Sequence, residues 1–562
     1  MSDDYQDRPR RPMRETVCEI DRDILKLVLR RHNLLQRMAA PKGHLAPQEE
    51  RYLRESWESQ VAKVSSDPKL SSRFFTLLQE VEFLPRPDEA AQPKRPSFGL
   101  APLQKPVRVR MDAPKGQEQT QLWSGLAASG GQAMHLTRVL MNDAVVDCVR
   151  MVNQFNCSLH RDADVLSAEA GMPAQAPDKI IHVGGSMLNF YMSVAHYIGR
   201  PSHAKFTGGP ALKLADFSAL KRFLPSVGAR LISLVPRSDG LPVRIESAGF
   251  VPETVAVAAD LPADFVLCLI MAAPHYQAPV RLDFRDYPEA EKEDVLSRAL
   301  PLLDLAGIGH EMDGTVLVVR HCAAPLPADP ALGMDVSIAA VILALAAVNG
   351  GSVNLDGRWV DNPRTAAVNN LFGQLGLALV KNDDGISVSV PEGYALPDSR
   401  LVMPAGLPCD LAPLPCALAC VQALRHGRAL VPDGAEKTAG LLDDLASFAG
   451  ACGLILEEGV LQPRHDDGEE HGTPPWTAPS SMWACALALA ACARPHAGRG
   501  FQLNNPGVLT ELYPAFWTLY NTLPEPSMRR AEEAPAAQPA KGRRRIRTTQ
   551  VAQLPPMPDE DL

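Results

Sequence analysis

The chain has 562 residues, of which 46% are apolar and 22% are charged, and its formal net charge at pH 7 is −9. This composition is typical of a folded protein with several domains, and the acidic balance argues against nucleic acid as a partner. The longest apolar run, VSIAAVILALAAV, is too short for a bilayer, so no membrane partner is expected. The eleven cysteines contain no CxxC pair and the sequence starts without a secretion signal, which predicts a cytoplasmic protein without a metal site.

Composition divides the chain into successive parts. Residues 1–12 are predicted to be a disordered N-terminus, and residues 13–84 have helical apolar spacing with few helix breakers, which predicts a small all-α domain. Residues 85–106 carry six prolines and are predicted to form a semi-rigid linker. Residues 107–524 have an α/β pattern. Residues 525–562 lack the apolar residues that a core needs and are predicted to be a disordered tail.

The first predicted helix carries an arginine within its apolar stripe. In ILKLVLRRHNLLQRM the apolar residues recur at steps of three and four, and Arg31 falls on the same face. A guanidinium in an apolar seam needs an anion, because an unpaired buried charge is costly. Either an anionic ligand or a carboxylate of the same domain, at Glu49, Glu50 or Glu80, could supply it.

The long α/β region repeats itself. A unit of helix, turn, strand, second helix, glycine and second strand is clear in four copies and weaker in two more. The clear copies begin at SVAHYIGRPSHAKF, CLIMAAPHYQAPVRLDF, ILALAAVNGGSVNLDG and CVQALRHGRALVPDG, and the weaker ones at LWSGLAASGG and MWACALALAACARPH. Units of this size are too large for solenoid repeats and group as two globules of three, which we predict at residues 107–320 and 321–524.

This layout resembles the 5-enolpyruvylshikimate-3-phosphate synthase family of enolpyruvyl transferases. The stretches GLPVRIESAGFVPETVAVAADLPADFVLCLIMAAP and DVSIAAVILALAAVNGGSVNLDG carry the likeness, which runs from about Arg108 to Leu523. It implies an α/β fold in which six βαβαββ repeats form a two-globule inside-out barrel, preceded by the small all-α domain. It also implies transfer of enolpyruvyl from phosphoenolpyruvate to shikimate 3-phosphate, without a cofactor.

The N-terminal stretch MRETVCEIDRDILKLVLRRHNLLQRMAAPK separately resembles the short all-helical chorismate mutases. The likeness implies a homodimer through this domain and a cationic clamp for the two carboxylates of chorismate. The clamp residues would be Arg14, Arg31, Lys42 and Arg51. The pattern departs at Gln48, Tyr52 and Arg86, so a non-catalytic dimerising or regulatory domain remains open beside an active mutase.

For the larger region, the resemblance implies catalytic roles for Lys115 and Asp335. Lys115 keeps the family's lysine, and Asp335 matches its acidic proton-transfer residue, although an aspartate before Val336 also fits a helix N-cap. Because both implied substrates are anionic, their site should be lined with cations and polar groups. The substrate-binding candidates are Lys115, Asn189, Lys213 and Gln374.

Many of the family's polar or cationic positions are replaced. The replaced positions are Gly116, Thr120, Asn189, Pro262, Ala263, Asp264, Gly373, Gln374, Ala439, Pro479, Ser480, Ser481 and Glu511. A charge-assisted hydrogen bond is worth about 1.5 to 3 kcal/mol, so the loss of about five would cost roughly 7 to 15 kcal/mol and slow the reaction by about five or more orders of magnitude. The candidate replacement cations are Lys213, Arg138, His135, His182, Arg364 and Lys437.

Three functions therefore remain open. The first is a divergent transferase for shikimate 3-phosphate and phosphoenolpyruvate, with or without a fused mutase. The second is a non-catalytic relative that binds a pathway enzyme or senses a metabolite. The third is a transferase of the same fold with a less anionic substrate. A strongly positive cleft would favour the first function, and a neutral or acidic cleft would favour the second.

Overall fold

The computed structural model describes two separate residues and a set of longer segments. These are Leu27, Arg31 and residues 47–61, 98–100, 106–175, 180–235, 238–322, 324–464, 475–493 and 501–523. The chain divides into two compact units, Met1–Pro96 and Ser97–Leu562. Within the described ranges, no helix is both long and apolar enough to cross a membrane.

The smaller unit contains helix α1 (Pro47–Val61). Arg31 is partly buried, and this burial lowers the pKa of its guanidinium. Arg14 and Lys42 lie outside the described residues, and so does the side chain of Arg51. The mutase-like clamp and the dimer therefore stay predictions.

The larger unit has two hydrophobic cores, one in each of two globules. Its first two strands pack in the core of the second globule, which is otherwise formed by later parts of the chain. These strands are β1 (Phe98–Leu100) and β2 (Val107–Asp112). The chain then builds the first globule, which comprises residues 116–332. Its helices are α2 (Gln117–Gly130), α3 (Asp143–Gln154), α4 (Met187–Ile198), α5 (Pro210–Leu214), α6 (Ser218–Phe223), α7 (Ala263–Ala272) and α8 (Glu289–Leu305). Its strands are β3 (Met134–Leu136), β4 (Leu159–Asp162), β5 (Val165–Ala168), β6 (Ile180–His182), β7 (Pro201–Thr207), β8 (Ala229–Ser233), β9 (Val243–Ala248), β10 (Thr254–Ala256), β11 (Val280–Asp283), β12 (His310–Asp313) and β13 (Val316–Val319).

The second globule combines β1 and β2 with residues 333–523. Its helices are α9 (Val336–Asn349), α10 (Pro363–Gln374), α11 (Pro413–His426), α12 (Leu441–Ala451), α13 (Ser481–Ala493) and α14 (Phe516–Thr522). Its further strands are β14 (Gly351–Asp356), β15 (Val380–Asn382), β16 (Gly385–Ser389), β17 (Ala429–Leu430), β18 (Leu454–Glu457), β19 (Val460–Pro463) and β20 (Phe501–Leu503). The sequence-based boundary at residue 320 stays a prediction, but β2 packs beside β14 rather than in the first core.

Three sheets share one strand order. In β6-β7-β9-β8, β10-β11-β13-β12 and β2-β14-β16-β15, the first pair of strands is parallel and the other neighbours are antiparallel. Two smaller sheets, β3-β5-β4 and β17-β19-β18, have only the antiparallel part, and β1 pairs with β20. The fold is therefore mixed α/β, as the sequence predicts.

Apolar helices occupy the centres of both globules. Every residue of α13 is buried, as are nearly all residues of α9 and most of α7, because these helices are apolar on all sides. A helix of this kind needs neighbours around its whole circumference, so it fixes the centre of a layered domain. The N-terminus of α9 is left at the edge of its core, facing the first globule.

The chain crosses between the globules twice, and the two crossings lie side by side. Lys115 forms an isolated antiparallel bridge with Met334, and the Gly116 N–H donates to the Gly333 carbonyl at 2.9 Å. The Asp335 N–H donates to the Pro114 carbonyl at 3.0 Å. These backbone hydrogen bonds bring Lys115 and Asp335 together from distant parts of the sequence.

Candidate functional site

A cavity of about 90 Å³ lies between the two globules, beside the double crossing. The first turns of α2, α9 and α10 meet helix α8 there. Its polar lining consists of Glu118, Gln119, Ser297, Arg298, Asp335, Ser337, Asn362 and Arg364. Both globules contribute to the lining, which makes this cleft the candidate site.

Asp335 caps two helices at once. Its Oδ1 accepts a hydrogen bond from the Ile338 N–H at 3.0 Å, and its Oδ2 accepts one from the Gln117 N–H at 3.1 Å. Burial raises the pKa of the carboxyl, and the nearby Asp410 carboxylate adds to the rise, although these N–H donors oppose it. Asp335 is therefore an N-cap of α9, as one reading of the sequence expects, and it also faces the cavity. Its catalytic role stays a prediction.

The Lys115 side chain is held by a carboxylate and does not line the cavity, although its neighbour Gly116 does. Its Nζ lies 2.7 Å from Oδ1 of Asp329. The Lys115 side chain is only 7% exposed, whereas that of Asp329 is 51% exposed. A buried cation with a half-exposed partner can exchange that partner for an incoming anion at modest cost.

Arg298 is the most deeply buried cation of the cleft. Its Nε donates to Oε1 of Glu118 at 3.0 Å, and its Nη2 contacts Oε2 of the same residue. Its Nη2 also lies 2.6 Å from Oδ1 of Asp264, and its Nη1 lies 2.9 Å from Oδ2 of Asp294. Burial opposes the charge of Arg298, but Glu118 and Asp264 outweigh it and raise the pKa of the guanidinium.

Arg364, at the start of α10, joins this cluster from the second globule. Its Nη1 lies 3.3 Å from Oε2 of Glu118, and its Nε lies 3.4 Å from Oδ1 of Asp294. Burial disfavours the ionised form of Glu118, but Arg298 and Arg364 outweigh that effect and lower the pKa of its carboxyl. Glu118 therefore stays ionised between two guanidiniums.

The charged groups described above leave the cleft acidic. The cations are Lys115, Arg298 and Arg364, and the carboxylates are Glu118, Asp264, Asp294, Asp329, Asp335 and Asp410. Each of these cations is already in contact with at least one carboxylate. An anionic substrate would therefore compete with the chain's own side chains for every one of them.

Asn189 lies in the interior of the first globule. It is fully buried, and its Oδ1 accepts a hydrogen bond from Gln121 Nε2 at 2.8 Å. Its Nδ2 donates to the carbonyls of Ala144 and Val183 at 3.1 and 3.3 Å. The amide thus joins α2, the start of α3 and the end of β6. Its role in substrate binding stays a prediction.

Gln374 and Lys213 lie away from the cavity lining. Gln374 is at the last position of α10, where its side chain exchanges hydrogen bonds with the backbone of Val402 at 3.0 and 2.7 Å. The cavity is lined by the opposite end of the same helix, at Asn362 and Arg364, which is about 15 Å away by helix geometry. Lys213 is exposed on the short helix α5. Binding roles for both residues stay predictions.

Arg364 is one of the replacement cations predicted from the sequence, whereas Glu118, Arg298 and Asp294 are not predicted from it. One signal was available, because Asp294 and Arg298 are four residues apart and so face the same side of a helix. Arg138, another candidate, pairs with the exposed Asp112 at 3.2 Å. In the segments that the structure describes, no group of three or more His, Cys, Asp or Glu side chains is placed to hold a metal ion.

Comparison with known proteins gives a consistent likeness at low identity. No protein-family model matches the sequence. The 3-phosphoshikimate 1-carboxyvinyltransferase of Methanosphaera stadtmanae is 24% identical over 235 residues, which cover 40% of this chain and 54% of the relative. The 3-phosphoshikimate 1-carboxyvinyltransferase 2 of Halalkalibacterium halodurans is 21% identical over 436 residues, which cover 75% of this chain and 94% of that relative.

The fold has solved counterparts. An EPSP synthase from Acinetobacter baumannii superposes with a TM-score of 0.58 at 15% identity, covering 76% of this chain and 97% of that chain. The chain spans about half the length of the first of the two sequence relatives, 54%. The chain is thus similar in sequence to the 3-phosphoshikimate 1-carboxyvinyltransferases, at 21 to 24% identity, and has the fold of the EPSP synthases.

Proposed function

We propose that the chain is a divergent carboxyvinyltransferase of the shikimate route, which transfers enolpyruvyl from phosphoenolpyruvate to shikimate 3-phosphate. The observation that carries this proposal is the meeting of Lys115 and Asp335 at the double crossing between the globules. The family likeness assigns a cation and a proton-transfer acid to these two positions. The relatives with this printed activity add independent support.

The reaction needs an anion site and a group that moves a proton. The substrate hydroxyl adds to C2 of phosphoenolpyruvate and gives up its proton, while another proton goes to the methylene carbon. A methyl proton then leaves as the C–O bond to phosphate breaks, and the hydroxyl proton ends on the released phosphate. Lys115 would bind the phosphate after Asp329 swings away, because Asp329 is half exposed. Asp335 would move the proton, since its raised pKa brings the carboxyl closer to the range in which it can both give and take one.

We include in this proposal the division of the fold into repeats and the nature of the N-terminal unit. The six sheets would correspond to six βαβαββ repeats, three in each globule, with some repeats reduced to their antiparallel part. The N-terminal unit would be the small mutase-like helical domain, acting on chorismate or pairing two chains. The ligands of the cleft would be anionic small molecules.

A second candidate function is a non-catalytic relative that binds a partner or a metabolite. The specific observation in its favour is the neutralisation of Lys115, Arg298 and Arg364 by carboxylates of the same chain. A neutral or acidic cleft is what we expect of a non-catalytic relative, because it no longer attracts anionic substrates. The same observation also fits a transferase with a less anionic substrate. Such a substrate would need fewer of the cations that carboxylates of the chain already neutralise.

The deciding experiment measures phosphate release by the purified full chain with shikimate 3-phosphate and phosphoenolpyruvate. The proposal expects turnover that is lost in Asp335→Ala and in Lys115→Met. Lys381→Met is the matched control, because Lys381 pairs with Asp361 at 2.6 Å on the exposed surface. Absence of phosphate release together with absence of binding heat for both substrates would reject the transferase and favour the second candidate.

A further inference from the structure

The carboxylate of Glu118 is bound in the way that proteins bind an anionic ligand. Both of its oxygens contact Arg298, through Nε at 3.0 Å and through Nη2. Arg364 approaches Oε2 from the opposite globule at 3.3 Å. A carboxylate that meets one guanidinium side-on and a second guanidinium from another direction is a common arrangement for substrate carboxylates and phosphates.

The two guanidiniums are positioned without help from Glu118. Asp264 and Asp294 hold the other N–H groups of Arg298 at 2.6 and 2.9 Å, and Asp294 also contacts Nε of Arg364 at 3.4 Å. The Arg298 side chain is only 4% exposed, so packing fixes it further. Removal of the Glu118 side chain should therefore leave a preformed carboxylate site.

Solvent can reach this site from the cavity. The side chain of Glu118 is 26% exposed, and Glu118, Arg298 and Arg364 all line the same cavity of about 90 Å³. An exogenous anion that replaced the carboxylate would thus have both a route and a space.

We propose that Glu118 is an internal counter-ion that determines which ligands the cleft admits. It occupies the carboxylate position on Arg298 and Arg364, and so excludes any ligand that would place an anionic group there. The inference rests on the proposed function only in placing the ligand in this cleft, and its test measures binding rather than turnover.

Charge balance indicates the class of anion that would fit in place of Glu118. Arg298 and Arg364 face the carboxylates of Glu118, Asp264 and Asp294, which leaves one excess negative charge. Without Glu118 the group is neutral, and one monoanion restores the native balance. A dianion would add a further uncompensated charge in a partly buried place. Small carboxylates such as formate and acetate should therefore bind better than inorganic phosphate.

The test compares formate and acetate binding to the full wild-type chain and to Glu118→Ala, at constant ionic strength, by titration calorimetry and by thermal shift. We expect saturable millimolar binding to the variant, at least tenfold tighter than to the wild type, and weaker binding of inorganic phosphate. The matched control is Asp260→Ala, which removes a carboxylate from an exposed pair with Arg222. Equal affinities in wild type and Glu118→Ala, or the same gain in Asp260→Ala, would overturn the proposal.

Two further variants keep the test decisive. Glu118→Ser opens nearly the same space and keeps a polar side chain that can bond to a neighbour or to water, so it replaces Glu118→Ala if that variant does not fold. Glu118→Gln keeps the side-chain volume and should bind no formate, because the space stays filled. Formate binding to Glu118→Gln as tight as to the smaller variants would place the anion elsewhere and reject the assignment. None of these outcomes depends on turnover of shikimate 3-phosphate.

Discussion

Nη1 of Arg364, in the second globule, lies 3.3 Å from Oε2 of Glu118, in the first. The same guanidinium places its Nε 3.4 Å from Oδ1 of Asp294. Since Arg364 stands in the first turn of α10 and its partners stand on α2 and α8, these ion pairs span the cleft. The chain's own charges therefore link the two globules across the cleft.

Removal of the Arg364 guanidinium should loosen the cleft more than it destabilises the fold. In Arg364→Met we expect faster amide hydrogen exchange in the first turns of α2 and α10, because the link across the cleft is lost. Both partners are partly exposed, so the loss in free energy of unfolding should be about 1 kcal/mol. Hydrogen exchange and urea unfolding measure the two effects. Lys381→Met breaks an ion pair within the second globule and should leave exchange in α2 unchanged.

Arg298→Met should be strongly destabilising. The substitution leaves Glu118, Asp264 and Asp294 close together without their common cation. Breaking a buried ion pair from one side typically costs about 3 to 5 kcal/mol, which urea unfolding at pH 7 would detect. A loss below about 1 kcal/mol would mean that water already compensates these carboxylates in the native protein.

Ionisation of Glu118 should make the free energy of unfolding depend on pH. Arg298 and Arg364 lower the pKa of its carboxyl in the folded state, despite burial, below the ordinary value of 4.5. The stabilisation is therefore present above pH 4.5 and is lost as the pH falls through the lower, folded value. We expect Glu118→Gln to be less stable than wild type by about 2 kcal/mol at pH 7, with a difference that shrinks as the pH falls below 4.5. Urea midpoints at several pH values measure this, and a difference that stays constant with pH would contradict it.

A buried histidine, His196, and a half-buried one, His275, should make the first globule sensitive to acid. Burial lowers the pKa of His196 to about 3 and that of His275 to about 4, and the charge of Arg200 contributes to both shifts. The unfolded chain takes up these protons near pH 6.5, before the native state does, so stability falls as the pH drops from 6.5 towards 4. Each histidine contributes a slope of up to about 1.4 kcal/mol per pH unit.

The variant His196→Gln tests this slope. Glutamine removes the titrating group and keeps a polar partner for Ser129, whose Oγ lies 2.8 Å from Nδ1 of His196. The free energy of unfolding, measured from pH 7.5 to 4.5, should then fall less steeply than in wild type by about 1.4 kcal/mol per unit. Parallel curves for the two proteins would show that folding does not shift the pKa of His196.

The fold was more predictable from the sequence than the site. Helices such as α9 and α13 are apolar on every side, so their central position follows from composition, and the aspartate before Val336 predicts both a cap and a cleft residue. The contact between Glu118 and Arg298 joins positions 180 residues apart. The spacing of Asp294 and Arg298 indicates a shared helix face but does not point to Glu118, so only the folded structure could show that α2 and α8 bring Glu118 and Arg298 together.

The position of Asn189 gives a last test of how the site has diverged. The family likeness assigns an arginine to this position, yet the amide is fully buried and is bonded to Gln121, Ala144 and Val183. Asn189→Arg should therefore not recover an anion site. It should lower the free energy of unfolding by at least about 3 kcal/mol, because it overpacks the core and buries a charge. Urea unfolding measures the loss, and Asn369→Arg, at an exposed position of α10, is the matched control that should retain wild-type stability. An Asn189→Arg variant that is as stable as wild type and binds phosphate more tightly would mean that this side chain can turn into the cleft, and that the family's cation site is only one substitution away.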